Sequence, residues 1–138
     1  MSSKSEKPIE VYCPRELTTP KHTWGREILI AHTDKYIAKV LLMNKGTAGG
    51  LQKHVEKAES FFLDEGQALV DYDAGDGKLT RLAMSPGMTI QVPAGAVHRV
   101  IAISDCKFFE VSTPHFDDRV RMEAEYGEPL SGGLPSTR

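Results

Sequence analysis

Residues 46–66 read GTAGGLQKHVEKAESFFLDEG, and the reading of this stretch decides the fold. Glycines open and close it, an aromatic run fills its last third, and between them stand Gln52, His54, Glu56 and Glu59. A hairpin requires none of these groups, and an interior tolerates unpartnered polar atoms only at a cost. Side chains two apart on a strand share a face, so Gln52 and His54 project together, and Glu56 has the same parity. Glu59 stands five residues beyond His54, past a bend and at the start of ESFFLD. The four residues therefore either form a solvated edge or converge on something.

The flanking sequence makes the surroundings a β protein. Short apolar or alternating segments recur between Gly, Pro, Asn and Asp: REILIAH, YIAKVLLM, SFFLD, QALVDYD, KLTRLAM, MTIQVP, HRVIAI and CKFFEVS. They are rich in Val, Ile, Phe and Tyr and too interrupted for helices. DYDAGDGKLT reads as a hairpin turning at Gly75, Asp76 and Gly77, and MSPGMT as a turn around Pro86 and Gly87. Only DDRVRMEAEYG has helical character, with Asp117 or Asp118 as N-cap and Gly127 as stop. So many short strands in one domain predict a sandwich or small barrel. The expected organisation is an N-terminal arm over 1–22, a β-barrel over 23–116, a short helix over 117–127 and a loose tail over 128–138.

Composition sets the context. A chain of 138 residues with 40% hydrophobic and 26% charged residues is a single globular domain by size and balance. A formal charge of −2 gives no electrostatic reason to expect nucleic acid or an anionic membrane as partner. Cys13 and Cys106 lie far apart with no CxxC spacing and read as free thiols. MSSKSEKPIE lacks the apolar core of a secretory signal, and no apolar run approaches the roughly 20 residues that span a bilayer. The expectation is a cytoplasmic protein.

A second segment, GMTIQVPAGAVHRVIA from Gly87, places His98 at a strand entry just after a turn at Pro93 and Gly95. Gln52, His54, Glu59 and His98 together offer two imidazole nitrogens, a carboxylate and an amide oxygen. That mixed set suits one divalent transition metal (Mn, Fe, Co, Ni or Zn) better than calcium or a thiolate-loving ion. Each residue also has a plainer reading. Gln52 can orient a water, Glu59 can be an edge charge against strand pairing, and Glu56 can replace Glu59 as ligand or be a solvated carboxylate.

The spacing resembles a family. Gly46, Gln52, His54, Glu59 and Gly66 follow the first cupin motif, with glutamine where that motif has its first histidine. Gly87, Pro93, Gly95 and His98 follow the second, with Ala102 in place of the asparagine often found at its end. The resemblance implies an all-β jelly-roll (double-stranded β-helix) barrel holding a metal near its mouth through Gln52, His54, Glu59 and His98. Within it, WGREI, YIAKVLL, GLQKHVEKAE, IQVPAGAVHRV and FFEVST…DDRVRMEAEYG are similar to the cupin module of type II phosphomannose isomerases and mannose-1-phosphate guanylyltransferases. That likeness accommodates Gln52, while Glu56 stands where those proteins often carry a histidine. These residues include none of the nucleotidyltransferase domain of the bifunctional enzymes, so no nucleotide transfer is expected.

The function expected from this likeness is a metal-dependent isomerase or epimerase acting on a sugar, a sugar phosphate or another small polar carbonyl metabolite. The alternatives are a mononuclear iron or manganese dioxygenase and a non-enzymatic sugar- or metabolite-binding cupin. Glu56 and Glu59 are the candidate catalytic carboxylates. Lys39 and Arg99 are candidate cations for an anionic substrate, although either can equally be a surface cation covering apolar neighbours. Gln91 is a candidate hydrogen-bonding group at the mouth. His22, His32 and His115 lack motif context. Phe61, Phe62, Phe108 and Phe109 are expected in the barrel core. The arm KPIEVYCPRELTTPKHTWG suits crossing onto a second copy, so a homodimer is expected.

Overall fold

The computed structural model describes residues 4–17, 23–116 and 118–130. Among these, strands succeed one another in the order β1 (Arg15–Leu17), β2 (Gly25–His32), β3 (Ile37–Met43), β4 (Gln52–His54), β5 (Glu59–Glu65), β6 (Ala68–Asp73), β7 (Leu79–Met84), β8 (Thr89–Val92), β9 (His98–Ala102), β10 (Cys106–Ser112) and β11 (Arg119–Arg121). One sheet has the order β1-β2-β3-β10-β5-β8 and the other β11-β4-β9-β6-β7. Every strand pairing is antiparallel. The result is the expected all-β jelly roll, because short half-buried strands bury their apolar side only by facing a second sheet.

Alternation decides what lies inside. Along β3, Ile37, Lys39, Leu41 and Met43 are buried and the residues between them are not. Along β10, the buried set is Cys106, Phe108, Glu110 and Ser112. Trp24, Leu41, Met43, Phe61, Leu63, Val70, Met84 and Phe108 meet in one cluster supplied by both sheets. Each of the large side chains contributes roughly 2 kcal/mol through apolar burial. Phe62 and Phe109 correct the expectation of four core phenylalanines. They stand opposite one another on the outward side of β5 and β10, and Phe62 is 36% exposed. Consecutive residues of a strand cannot both face the core.

The glycine closing the first motif has a steric reason. Gly66 has φ 98°, and a Cβ there would lie 2.3 Å from the Asp105 carbonyl oxygen.

Across 117–127 the helical part is a single 3-10 turn over Ala124–Tyr126, closed by Gly127 at φ 65°. The preceding Arg119–Arg121 forms β11 and extends the second sheet by pairing with β4. Strand pairing against Gln52–His54 overrides the helix propensity of this segment. Asp117 lies outside the described residues. Asp118 caps no helix and accepts instead from the Glu56 and Lys57 amides, at 2.8 and 2.7 Å. At the start of the tail, Glu128 is tied to Arg99 at 2.8 Å, and residues 131–138 lie outside the described set. In the arm, β1 pairs with β2 of the same chain, whereas Ile9 and Val11 are 94% and 89% exposed.

Cys13 is exposed and Cys106 buried, and both are free thiols. Among the described residues no helix is long and apolar enough to cross a membrane.

Candidate metal centre

Three strands and one turn assemble the site. β4 carries Gln52 and His54 inward, β9 begins at His98, and β5 begins at Glu59. Gln52 pairs with His98 in the sheet register. Pro93 to Ala96 form a turn in which the Ala96 amide donates to the Pro93 carbonyl, and the Gly95 amide donates to the His54 carbonyl at 2.7 Å. That last bond fixes the turn presenting His98 against the strand presenting His54.

The side chains converge. Ligand atoms of His54, Glu59 and His98 all lie within 4.8 Å of one another, and all three residues are buried. His54 Nε2 is 3.4 Å from Glu59 Oε2, and His98 Nε2 is 3.8 Å from Glu59 Oε1. Gln52 Oε1, His54 Nε2, Glu59 Oε2 and His98 Nε2 are all buried without a hydrogen-bond partner. Leaving these atoms unsatisfied, three of them gathered at one place, is expensive unless something accepts their lone pairs.

The other ring nitrogens are engaged. His54 Nδ1 lies 3.0 Å from Asp118 Oδ1, and His98 Nδ1 lies 3.0 Å from the Ala96 carbonyl oxygen. Both acceptors require Nδ1 to carry the proton, which leaves each Nε2 lone pair aimed at the cluster. Burial pushes the His98 pKa down, against the pull of Glu59, so its imidazole stays neutral. Burial alone would raise the Glu59 carboxyl, but Lys57, then His54 and His98, hold it down at about 2. Two imidazole nitrogens, one carboxylate and one amide oxygen form a donor set that fits a divalent transition ion.

A layer of buried charge adjoins the centre. Lys57 Nζ is 3.6 Å from Glu59 Oε2 and 3.3 Å from Glu110 Oε2. The two carboxylates outweigh burial and push the Lys57 pKa up, whereas burial raises the Glu110 carboxyl despite Lys57. Sequence reading missed Lys57, Glu110 and Asp118. Alternation in CKFFEVS could have placed Glu110 on the face of Phe108, but neither Lys57, in a bend, nor Asp118, sixty-four positions from His54, carries a local signal.

The remaining candidates separate. Glu56 does not reach the centre: β4 ends at His54, the chain turns, and its 69% exposed carboxylate lies 3.5 Å from His115 Nε2. Lys39 faces inward but its ammonium is paired with Glu27 Oε1 at 2.5 Å. Arg99 follows the inward His98 and so lies on the opposite side of β9, where its guanidinium meets Asp71 at 2.7 Å and Glu128 at 2.8 Å. Gln91 is exposed and stands opposite Ser60 on edge strand β8, where it borders both an outward groove and the cavity beside His98. His32 packs against Phe116, and His22 lies outside the described residues.

Two hollows flank His98. An enclosed one of about 30 Å³ lies among Gln52, Trp24, Leu41, Phe61 and Phe108. A larger cavity of about 380 Å³ lies between the sheets, walled by Val70, Tyr72, Leu82, Ile90, Val92 and His98.

The family model for the cupin domain matches residues 39–112, more than half of the chain, including Gln52, His54, Glu59 and His98. The chain belongs to the cupin family. Among solved structures it is similar to KdgF from Halomonas sp., at 20% identity over 67% of this chain and 82% of that one, with TM-score 0.60. It is also similar to the capsular polysaccharide assembling protein CapF from Staphylococcus aureus, at 18% identity over 80% of this chain, TM-score 0.68. A third is a Bacillus subtilis oxalate decarboxylase variant, at 15% identity over 78% of this chain, TM-score 0.61. The chain spans 32% and 30% of the last two. At these identities the likeness is one of fold. No curated protein matches the chain by sequence.

Proposed function

We propose that this cupin is a metal-dependent enzyme that holds one divalent transition ion through Gln52, His54, Glu59 and His98 and moves a proton on a small unphosphorylated carbonyl metabolite, as an isomerase or epimerase does. The observation that carries the reading is the convergence of the buried His54, Glu59 and His98 ligand atoms within 4.8 Å of one another, with both Nε2 atoms and the neighbouring Gln52 Oε1 lacking a hydrogen-bond partner. Bound there, the ion supplies Lewis acidity to a substrate oxygen. The chain's own part is preparation. Asp118 and the Ala96 carbonyl hold both imidazoles in the ligating tautomer. Lys57 keeps Glu59 ionised, which suits a ligand better than a general base. A phosphorylated substrate is disfavoured because Lys39 and Arg99 are already paired and, among the described residues, no Lys or Arg lines the larger cavity beside His98. A polar carbonyl substrate also accords with a structural neighbour that is a capsular polysaccharide assembling protein.

A second reading, a mononuclear dioxygenase, is favoured by two observations. Glu56, the expected acid/base group, lies at the surface, and the cavity beside His98 is mostly apolar. One experiment separates the two. Protein purified without added metal is assayed for metal content, then incubated with hydroxycarbonyl compounds in deuterated water with Mn, Co or Zn. Exchange of a carbon-bound hydrogen without oxygen consumption is the expected result. Oxygen uptake by the iron form selects the dioxygenase, and failure to hold metal after reconstitution leaves a metal-free binding module.

We further propose that the protein works as a homodimer. Ile28, Val40, Phe109 and Phe62 form one line of cross-strand partners on the outward side of the first sheet, with exposed Val111 and Tyr36 beside them. Such a patch packs on its own copy around a two-fold axis.

A further inference from the structure

The hollows beside the centre differ in what they can hold. The enclosed one, about 30 Å³, has room for one or two waters. A groove of about 600 Å³ along Tyr36, Ser60, Gln91 and Val111 touches Glu59 at one end but is shallow and runs mainly past outward-facing side chains of the first sheet. The cavity of about 380 Å³ is different. It opens beside His98 and is walled by Val92, the sheet partner of Glu59, so it adjoins the centre at His98. Its volume is far above the packing defects of an ordinary core and within the range of roughly 300–1,000 Å³ that small-molecule sites occupy.

Its chemistry is specific. Val70, Leu82, Ile90 and Val92 make the wall aliphatic. Tyr72 is the direct sheet partner of His98, on the same face and bordering the same cavity. Among the described residues no protein hydrogen bond engages its hydroxyl. Asp73 stands at the edge, its carboxylate accepting from Tyr126 and from the Gly75 and Gly77 amides. A negative group at the rim and aliphatic walls within disfavour an anion.

We infer that this cavity seats the apolar flank of the substrate, a small neutral carbonyl compound bearing an alkyl or aryl group, and that Tyr72 determines specificity by donating its hydroxyl hydrogen to a substrate oxygen beside the metal centre. The inference rests on the proposed metal function for the placement of that oxygen, and on the cavity alone for the flank. No covalent step is assigned to Tyr72.

Calorimetric titration of the zinc-loaded protein with 2-hydroxyacetophenone and with mannose 6-phosphate tests this. The expected result is saturable binding of the first at least about tenfold tighter than of the second, a difference of roughly 1.4 kcal/mol. Tyr72→Phe should weaken 2-hydroxyacetophenone about fivefold, the worth of one hydrogen bond, with zinc content unchanged. Ile90→Trp, which fills the cavity, should remove binding while zinc content and the melting temperature show that the barrel persists. Equal or tighter binding of the sugar phosphate overturns the inference, as does an unchanged affinity in both variants. If the wild type holds no metal, the proposed function fails separately. The cavity inference then still requires weak binding of 2-hydroxyacetophenone that Ile90→Trp removes, and its absence overturns the inference too.

Discussion

Asp118 and His54 meet at 3.0 Å, carboxylate oxygen to Nδ1, although sixty-four positions separate them in the chain. The same carboxylate receives the amides of Glu56 and Lys57, so it holds both the imidazole and the bend leading to Glu59. Its pKa is lowered because those amides and His54 outweigh burial. Asp118→Ala should therefore reduce metal affinity by about 10–100-fold, the usual cost of removing such an outer partner. Competition against a chromophoric chelator measures this. An unchanged affinity would mean that His54 is oriented by packing alone.

The ligand assignment predicts a sharp contrast among the histidines. His54→Ala or His98→Ala should abolish stoichiometric metal. His115→Ala should not, since His115 lies at the surface between Thr113 and Glu56. Glu56→Gln should likewise retain metal and turnover, while Glu59→Gln should lose metal. Elemental analysis of each purified variant decides the matter. A metal-free Glu56→Gln protein would restore Glu56 to the ligand set.

A pH effect is expected from the outer face of the second sheet, away from the metal. Hydrogen bonds from Arg81 and then Arg99, set against burial, hold the Asp71 carboxyl below its ordinary 3.8. The folded protein thus binds fewer protons there than the unfolded chain, so this stabilisation is present above that value and disappears as pH falls through the folded pKa. Asp71→Asn should cost about 2 kcal/mol near neutrality, since it weakens charge-assisted bonds. The penalty should shrink towards pH 3, as measured by urea unfolding at several pH values. A penalty independent of pH would assign the loss to packing.

The outward phenylalanines give the test of assembly. Light scattering at micromolar concentration should show a dimer, and Phe62→Lys combined with Phe109→Lys should give a monomer that still binds metal. A monomeric wild type would dismiss the proposed two-fold contact, whereas a dimer insensitive to both changes would point to the exposed arm around Ile9 and Val11.

The sequence by itself determined most of the strands and pointed to the candidate ligands. Eight apolar segments became β2, β3 and β5 to β10, because period-two alternation and turn glycines are local properties of the chain. Gln52, His54, Glu59 and His98 were legible because their spacing repeats a motif of the cupin family. What only the tertiary structure decided was which side each neighbour takes and what it meets there. Lys39 and Arg99 are both buried cations on strands, yet one faces Glu27 between the sheets and the other faces Asp71 on the opposite side of its sheet. A shift of one residue in parity exchanges such fates, and sequence alone does not fix it. Asp118 and the β11 strand were read as the start of a helix because helix propensity is local. Their pairing with His54 and β4 is a long-range contact that no window of sequence contains.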